Sequence, residues 1–446
     1  MTMTTNSSSL RPLAPNVAVA AVCSPLEVGA HNAPAAADAF AARLAGLGCA
    51  VLNLGVVDTP DRAVAAGRRA TEAHLDAIVI VAVSWYEDYL VFDLLEECAA
   101  PLLLWALPGM ETGALCGHQQ LTACLHQLGR RYHALYGPPE QLTPDGEAMD
   151  WLRACALHAG LRRARIGHAG HRAGGMTEVA VNELALKKAV GPRVVPLDLP
   201  QLLADAQTAD PDRARDLWDS VKARAGRCQV DDAAGLDSMK VYLAVKQRVD
   251  QHGLSALTVG CYPHLMGKVC LAASLLADQG IPLGCEGDVN GAVGQLLLTR
   301  LTGLPTHNTD WLDPLDDGSV VLTHCGSGSF SLAEHPDQIT LAPVRLMDQG
   351  CCARFTARPG PVTLVNLMPA GDGYRCAVLT GEALSTGMAF PGNPLRVRFP
   401  QPIDRLLHWI HEAGIGHHWM AVNARADRAL RHWAALASPA LTLVEP

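Results

Sequence analysis

The sequence predicts a mixed α/β protein in which two doubly wound domains precede a β-rich, antiparallel and barrel-like C-terminal domain. Three observations lead there. Up to about residue 304, short wholly apolar runs alternate with amphipathic, Ala-rich segments, the rhythm of parallel strands covered by helices on both faces. That rhythm breaks at Gly137-Pro138-Pro139 and then restarts. Beyond Leu304 the apolar segments become short and β-branched, separated by Gly, Pro and Asp, which reads as antiparallel β. A chain of 446 residues also exceeds one ordinary core, so more than one domain is expected.

The first domain, residues 15–138, opens with the apolar run Val17–Cys23 and a helix across Pro34–Leu47. Strand Ala50–Leu54, helix Arg62–His74 and strand Ala77–Ala82 follow. Trp85–Cys98 reads as helix, Leu102–Ala106 as a buried strand, and Gln119–Leu135 as helix again. The second domain, residues 139–304, repeats the order: helix Glu147–Ala159, strand Arg165–Gly167, helix Glu178–Ala189, strand Arg193–Asp198. Helices across Leu199–Ala206, Pro211–Arg224 and Ser238–His252 come next. Strand Ala256–Gly260 then leads into helix Met266–Gln279. In the third, residues 305–446, Val320–His324, Gln338–Leu341, Ala353–Ala357, Val362–Met368 and Arg375–Gly381 are the strand candidates. Helix Pro402–Glu412, the segment Trp419–Asn423, a further helix and a last strand close the chain.

Composition excludes several classes. Apolar residues make up 49% and charged residues 18%, which is globular rather than disordered. A net charge of −9 without any basic stripe argues against a nucleic-acid partner. The fourteen cysteines are scattered and form no CxxC pair, so free thiols in a reducing cytoplasm are expected. The polar start MTMTTNSSSLRPLAPN reads as a loose tail without a signal peptide. The longest apolar stretches, Ala77–Val83 and Pro101–Leu107, are too short to span a bilayer, so no membrane partner is expected.

The densest polar constellation is Cys285-Glu286-Gly287-Asp288-Val289-Asn290-Gly291, between Gly280-Ile281-Pro282-Leu283 and a helix over Ala292–Leu301. Acids after a strand and before a helix lie at the open end of a parallel sheet, where ligands bind. Asp288 and Asn290 either cap the helix or join a site. Glu286 lies ahead of the cap, beside glycines that clear space around it. Asp310 stands at the entrance of the β domain, His324 ends a strand, and Gly416-His417-His418-Trp419 places two imidazoles in succession. Only one of two successive residues in an extended segment faces a given side. Two acids and one or two imidazoles suit Mn²⁺, Mg²⁺ or Co²⁺. Such a set could move a carbonyl between C1 and C2 of a sugar, which needs both oxygens held and protons transferred.

These segments resemble the L-fucose isomerase and L-arabinose isomerase superfamily. The carrying stretch is Gly280-Ile281-Pro282-Leu283-Gly284-Cys285-Glu286-Gly287-Asp288-Val289-Asn290-Gly291-Ala292, joined by Leu271-Ala272-Ala273-Ser274-Leu275-Leu276 just upstream. The separation of Glu286 from Asp310 is similar to that of the family's metal-binding carboxylates. Leu322-Thr323-His324-Cys325-Gly326 and Gly416-His417-His418 resemble its later histidine segments.

The resemblance implies two Rossmann-like domains and a β-rich C-terminal domain. It implies Mn²⁺ held by Glu286, Asp310 and His418, with His324 as a fourth ligand on the arabinose-isomerase pattern. Glu286 and Asp310 would also be the catalytic pair, shuttling protons through an enediol. It further implies a homo-oligomer, trimer or hexamer, in which an N-terminal domain covers a neighbour's site. Trp85, Gln119 and His417 are the candidates for substrate contacts, although aromatic residues near strand ends commonly pack. The chain is shorter than the family's well-known members, so the sugar does not carry over. L-Fucose, D-arabinose, L-arabinose and a charged sugar such as sulfoquinovose all remain open. So does a non-catalytic sugar sensor on the same scaffold.

Overall fold

The computed structural model describes residues 10–446; the expected N-terminal tail up to Ser9 lies outside them. Mixed α/β architecture is borne out, with parallel sheets flanked by helices and a β-rich C-terminal region. The chain divides into two compact units. One comprises Leu13–Ala159 with Arg428–Leu436, the other Gly160–Asp427 with Ala437–Pro446 and the described residues before Leu13.

In the first unit five parallel strands run in the order Ala50–Val57, Asn16–Val22, Ala77–Ala82, Leu102–Ala106, Tyr132–Tyr136. Val17–Val22 and Ala77–Ala82 are wholly buried, as continuous apolar strands covered on both faces must be. Local chemistry sets the helix starts: Thr59 accepts the Arg62 N–H ahead of Pro60, a side-chain cap followed by a residue with no N–H to satisfy.

Two expectations here need correction. The helix expected from Trp85 starts only at Tyr89, because Ser24 and Trp85 backbone groups are taken by loop partners, Ser24 N–H to Trp85 O and Trp85 N–H to Thr112 O. The helix expected over Gln119–Leu135 is Ala114–Gln127. It stops before Gly129 at φ +62°, and Tyr132–Tyr136 becomes the edge strand beside Leu102–Ala106.

The second unit holds a four-stranded parallel sheet in the order Leu283–Gly284, Ala256–Val259, Arg165–Ala169, Arg193–Leu197. Its long helix Asp232–His252 is capped by Asp231, which accepts the Ala234 N–H at 2.8 Å, and ends at Gly253 with φ +58°. Gly235 in that helix has a packing reason. A Cβ there would lie 2.2 Å from the ring of Trp218, whose indole N–H is fixed on Asp232 at 2.7 Å. Gly235→Ala gains about 1 kcal/mol of helix propensity. It is nonetheless expected to lower stability by about 1–3 kcal/mol, the usual cost of overpacking a core; urea unfolding measures this, and an unchanged midpoint would refute the packing argument.

The β-rich part of this unit closes on itself. The strands Gly360–Ala370, His418–Val422, His307–Pro314, Ser319–Thr323, Leu395–Arg398 and Gly373–Leu384 pair in that order, and the last pairs back to the first. All six pairings are antiparallel, so the region is a barrel, with Leu441–Val444 added in parallel outside the ring. Its interior is apolar, built from Val320, Leu322, Leu364, Leu379, Val397 and Trp419. Leu395–Arg398 completes the barrel and was not among the expected strands. The strand expected at Ala353–Ala357 is Gln349–Arg354.

Candidate active site

Glu286 stands at the carboxyl end of the parallel sheet, just after Leu283–Gly284 and before the helix Val289–Thr302. Its backbone is left-handed at φ +62°, a conformation that costs a non-glycine residue free energy and is kept where surroundings enforce it. The enforcement is visible: the Glu286 carbonyl accepts the Ala173 N–H at 2.9 Å, and the Gly287 N–H reaches the Val259 carbonyl at 3.0 Å. Gly287 is also left-handed, and a Cβ on it would meet the main chain of His171 and Arg172. Glycine is required there.

The barrel delivers the other members. Asp310 is paired directly with His418 on one neighbouring strand and with Thr323 on the other. Directly opposed residues share a face, so strand register alone brings an acid and an imidazole from distant parts of the sequence together. His324, one residue past Thr323, completes the group. His418 Nε2 lies 3.0 Å from Glu286 Oε2 and 3.9 Å from Asp310 Oδ1. His324 Nε2 lies 3.6 Å from Glu286 Oε2 and 3.9 Å from Asp310 Oδ2. Glu286, Asp310, His324 and His418 therefore converge.

Asp288 has two jobs, and the two readings open for it in the sequence both hold. Oδ1 accepts the Gly291 N–H at 2.9 Å and caps the helix, while Oδ2 sits 2.8 Å from His418 Nδ1. A carboxylate on Nδ1 keeps a proton there, so that Nε2, which faces Glu286 and Asp310, is the nitrogen that would exchange its proton for a cation. Burial disfavours charge on Glu286, but hydrogen bonds from His324 and His418 outweigh it and hold the carboxyl at about 2. Burial likewise opposes charge on His418, yet Asp288 and Glu286 lift it to about 10. Glu286 and His418 thus form a buried ion pair.

This donor set fits a divalent cation. Nitrogen and carboxylate atoms of Asp310, His324 and His418 lie within 4.8 Å of one another. Asp310 Oδ1 is enclosed yet has no hydrogen-bond partner, an arrangement that is costly unless something positive faces it.

Three of the four, Glu286, Asp310 and His324, line a cavity of about 260 Å³ together with Tyr262, Leu312, Arg345 and Phe390. The Arg345 guanidinium lies 4.6 Å from the centroid of the Phe390 ring, a cation–π contact that holds the charge at the rim. Arg345 was not among the residues singled out in the sequence. Its only sequence signal is a cation inside the apolar turn Pro343-Val344-Arg345-Leu346-Met347.

None of the three residues expected to contact substrate is among those lining this cavity. His417, just before its strand, is exposed and ion-paired through Nδ1 to Glu178 at 2.5 Å, yet it borders the cluster: its ring centroid is 4.1 Å from that of His418, and it has a donor atom within 4.8 Å of donor atoms of Glu286 and His418. Trp85 and Gln119 belong to the unit of Leu13–Ala159 and do not line this cavity. Trp85 donates its indole N–H to Gln120 at 3.1 Å, and Gln120 donates to Asp88; Gln119 is exposed.

No protein-family model matches the chain. Curated relatives do. The sulfoquinovose isomerase of Alkalicoccus urumqiensis is 23% identical over 370 residues, covering 80% of this chain and 83% of its own length. That of Priestia megaterium is 22% identical over 367 residues, covering 78% and 81%. That of a Clostridium species is 26% identical over 344 residues, covering 73% and 76%. The chain is an aldose–ketose isomerase. Its sequence resemblance to the L-fucose and L-arabinose isomerases holds at that level. The isomerase has no helix among the described residues that is long and apolar enough to cross a membrane.

Asp288→Asn isolates the tautomer argument. The Asn side chain still caps the helix, but it no longer offers His418 Nδ1 a charged acceptor. Metal affinity is expected to fall about tenfold, at the lower edge of such second-layer effects, with the fold intact. Isothermal titration with Mn²⁺ checks this, and an unchanged affinity would remove Asp288 from the account.

Proposed function

We propose that this isomerase interconverts a sulfonated aldose of the sulfoquinovose type and its ketose, assisted by a divalent cation, Mn²⁺ in the first instance. Glu286, Asp310 and His418 would hold the ion, with His324 as fourth donor. The observation that carries the reading is the convergence of these four side chains, three of which line a cavity that Arg345 also lines. Bound there, the cation would supply Lewis-acid polarisation of the sugar's carbonyl and hydroxyl oxygens. Glu286 and Asp310 are the residues that move protons. A carboxylate oxygen takes the proton from C2 of the open-chain aldose, and the enediol that results is reprotonated at C1, while the O2 proton transfers to O1. Left-handed Glu286 is held rigidly enough for that task by the main-chain bonds described above.

Support for the sulfonate comes from Arg345. A sulfonate is anionic at any physiological pH, and two carboxylates at the reacting end would repel it. A permanent cation at the rim offers the distal end of the sugar a charge-assisted partner. The names of the relatives agree. Fourteen free thiols favour a reducing cytoplasm, and we place the reaction there, in a homo-oligomer whose neighbouring N-terminal unit covers the site through Trp85 and Gln119.

The test compares sulfoquinovose with D-glucose, which differs only in carrying a hydroxyl where the sulfonate stands. Ketose formation with Mn²⁺ should be much faster on the sulfonated sugar. Equal or faster turnover of glucose, or of L-fucose, would overturn the substrate assignment and leave the isomerase standing.

A further inference from the structure

A second group of metal-type donors lies wholly within the unit formed by Leu13–Ala159 and Arg428–Leu436. His133 comes from the edge strand Tyr132–Tyr136, Glu147 from the first turn of helix Glu147–Arg163, and His432 from helix Asp427–Ala437. One donor atom from each lies within 4.8 Å of the others. From this convergence we infer a second cation site, taking Zn²⁺ or a similar borderline divalent ion through two imidazoles and one carboxylate.

Several features support it. His133 Nε2 is 3.3 Å from Glu147 Oε1. The Nε2 atoms of both histidines are enclosed and have no hydrogen-bond partner, unusual for buried polar atoms. Ligand atoms on a tetrahedral ion with bonds of about 2.0–2.1 Å stand roughly 3.4 Å apart, so small side-chain rotations close the set. Trp151 stacks on His133 at 5.6 Å between centroids and meets His432 edge-on at 5.5 Å, which fixes both rings. Burial lowers the basicity of both imidazoles, His432 to about 4, so each keeps a lone pair at neutral pH. Arg428, one turn before His432, is occupied by Asp150 and the Asp145 carbonyl, while the adjacent Arg431 also disfavours charge on His432. Glu147 is half exposed and gives the ion a way in. Three protein donors leave a fourth position for water.

The placement says what such an ion would do. His432 belongs to a segment that is remote in sequence from the rest of its unit, and an ion shared with His133 and Glu147 would tie that helix to the edge strand. Zn²⁺ binding here is thus a fastening of the C-terminal helix, independent of the isomerase cluster.

The experiment uses the full chain stripped with chelator, saturated first with Mn²⁺, then titrated with Zn²⁺ under a competing chromophoric chelator. Wild type should take up one more equivalent of Zn²⁺ than the His133→Gln, His432→Gln double variant, whose far-UV circular dichroism serves as the folding control. Equal stoichiometry would overturn the site. A second measurement needs no variant: in the proton–nitrogen NMR spectrum of the stripped wild type, added Zn²⁺ should shift the ring nitrogen resonances of His133 and His432. Ring resonances of these two histidines that do not respond to Zn²⁺ would overturn it equally.

Discussion

Glu286→Gln is expected to reduce isomerase turnover by roughly 10²–10⁴-fold, the range for removing a positioned acid–base group. The substitution is nearly isosteric, so Ala173 keeps its bond to the residue 286 carbonyl and folding should be unaffected. What is lost is the charge. Glutamine cannot accept a proton from carbon, and its amide no longer pairs with the His324 and His418 imidazoles that hold the wild-type carboxyl at about 2. Mn²⁺ affinity should fall at the same time. Steady-state assay of the purified variant, with circular dichroism as control, checks this. Activity within a few fold of wild type would remove Glu286 from the chemistry.

Arg345→Met should separate substrates instead of abolishing turnover. Methionine keeps an apolar stem against Phe390 but removes the charge from the cavity rim. Hydrogen bonds to charged groups contribute about 1.5–3 kcal/mol, and each 1.4 kcal/mol is about tenfold. For a sulfonated aldose kcat/KM is therefore expected to drop by on the order of 10–100-fold, mainly through KM. For a neutral aldose it should change by no more than a few fold. A uniform loss on both would mean that Arg345 shapes the cavity without reading the sulfonate.

Legibility in the sequence differed between the two halves of the site. Glu286 could be found because its signal is local: an acid flanked by glycine, after an apolar segment and before a helix, occupies the open end of a parallel sheet wherever it occurs. Asp310 and His418 could not be paired in the same way. Their meeting depends on antiparallel register in a closed barrel, which no local pattern encodes. The resemblance to known isomerases supplied that pairing. Asp288 was open between cap and site, and the structure shows that its two oxygens divide the roles. The segment up to Leu135 was read as the end of a helix; pairing of Tyr132–Tyr136 with Leu102–Ala106 decides it as strand, tertiary context overriding local preference. Arg345 lies on an exposed turn, and only the closure of the cavity around it gives it meaning.

The measurement that tests the central claim most directly is proton NMR of sulfoquinovose in D₂O with the chelator-stripped chain, before and after Mn²⁺ is restored. The account predicts no ketose before the metal returns, then ketose with deuterium entering C1 of the ketose and C2 of the aldose. Ketose formed at full rate by the stripped chain would contradict it, as would a restored chain that forms none.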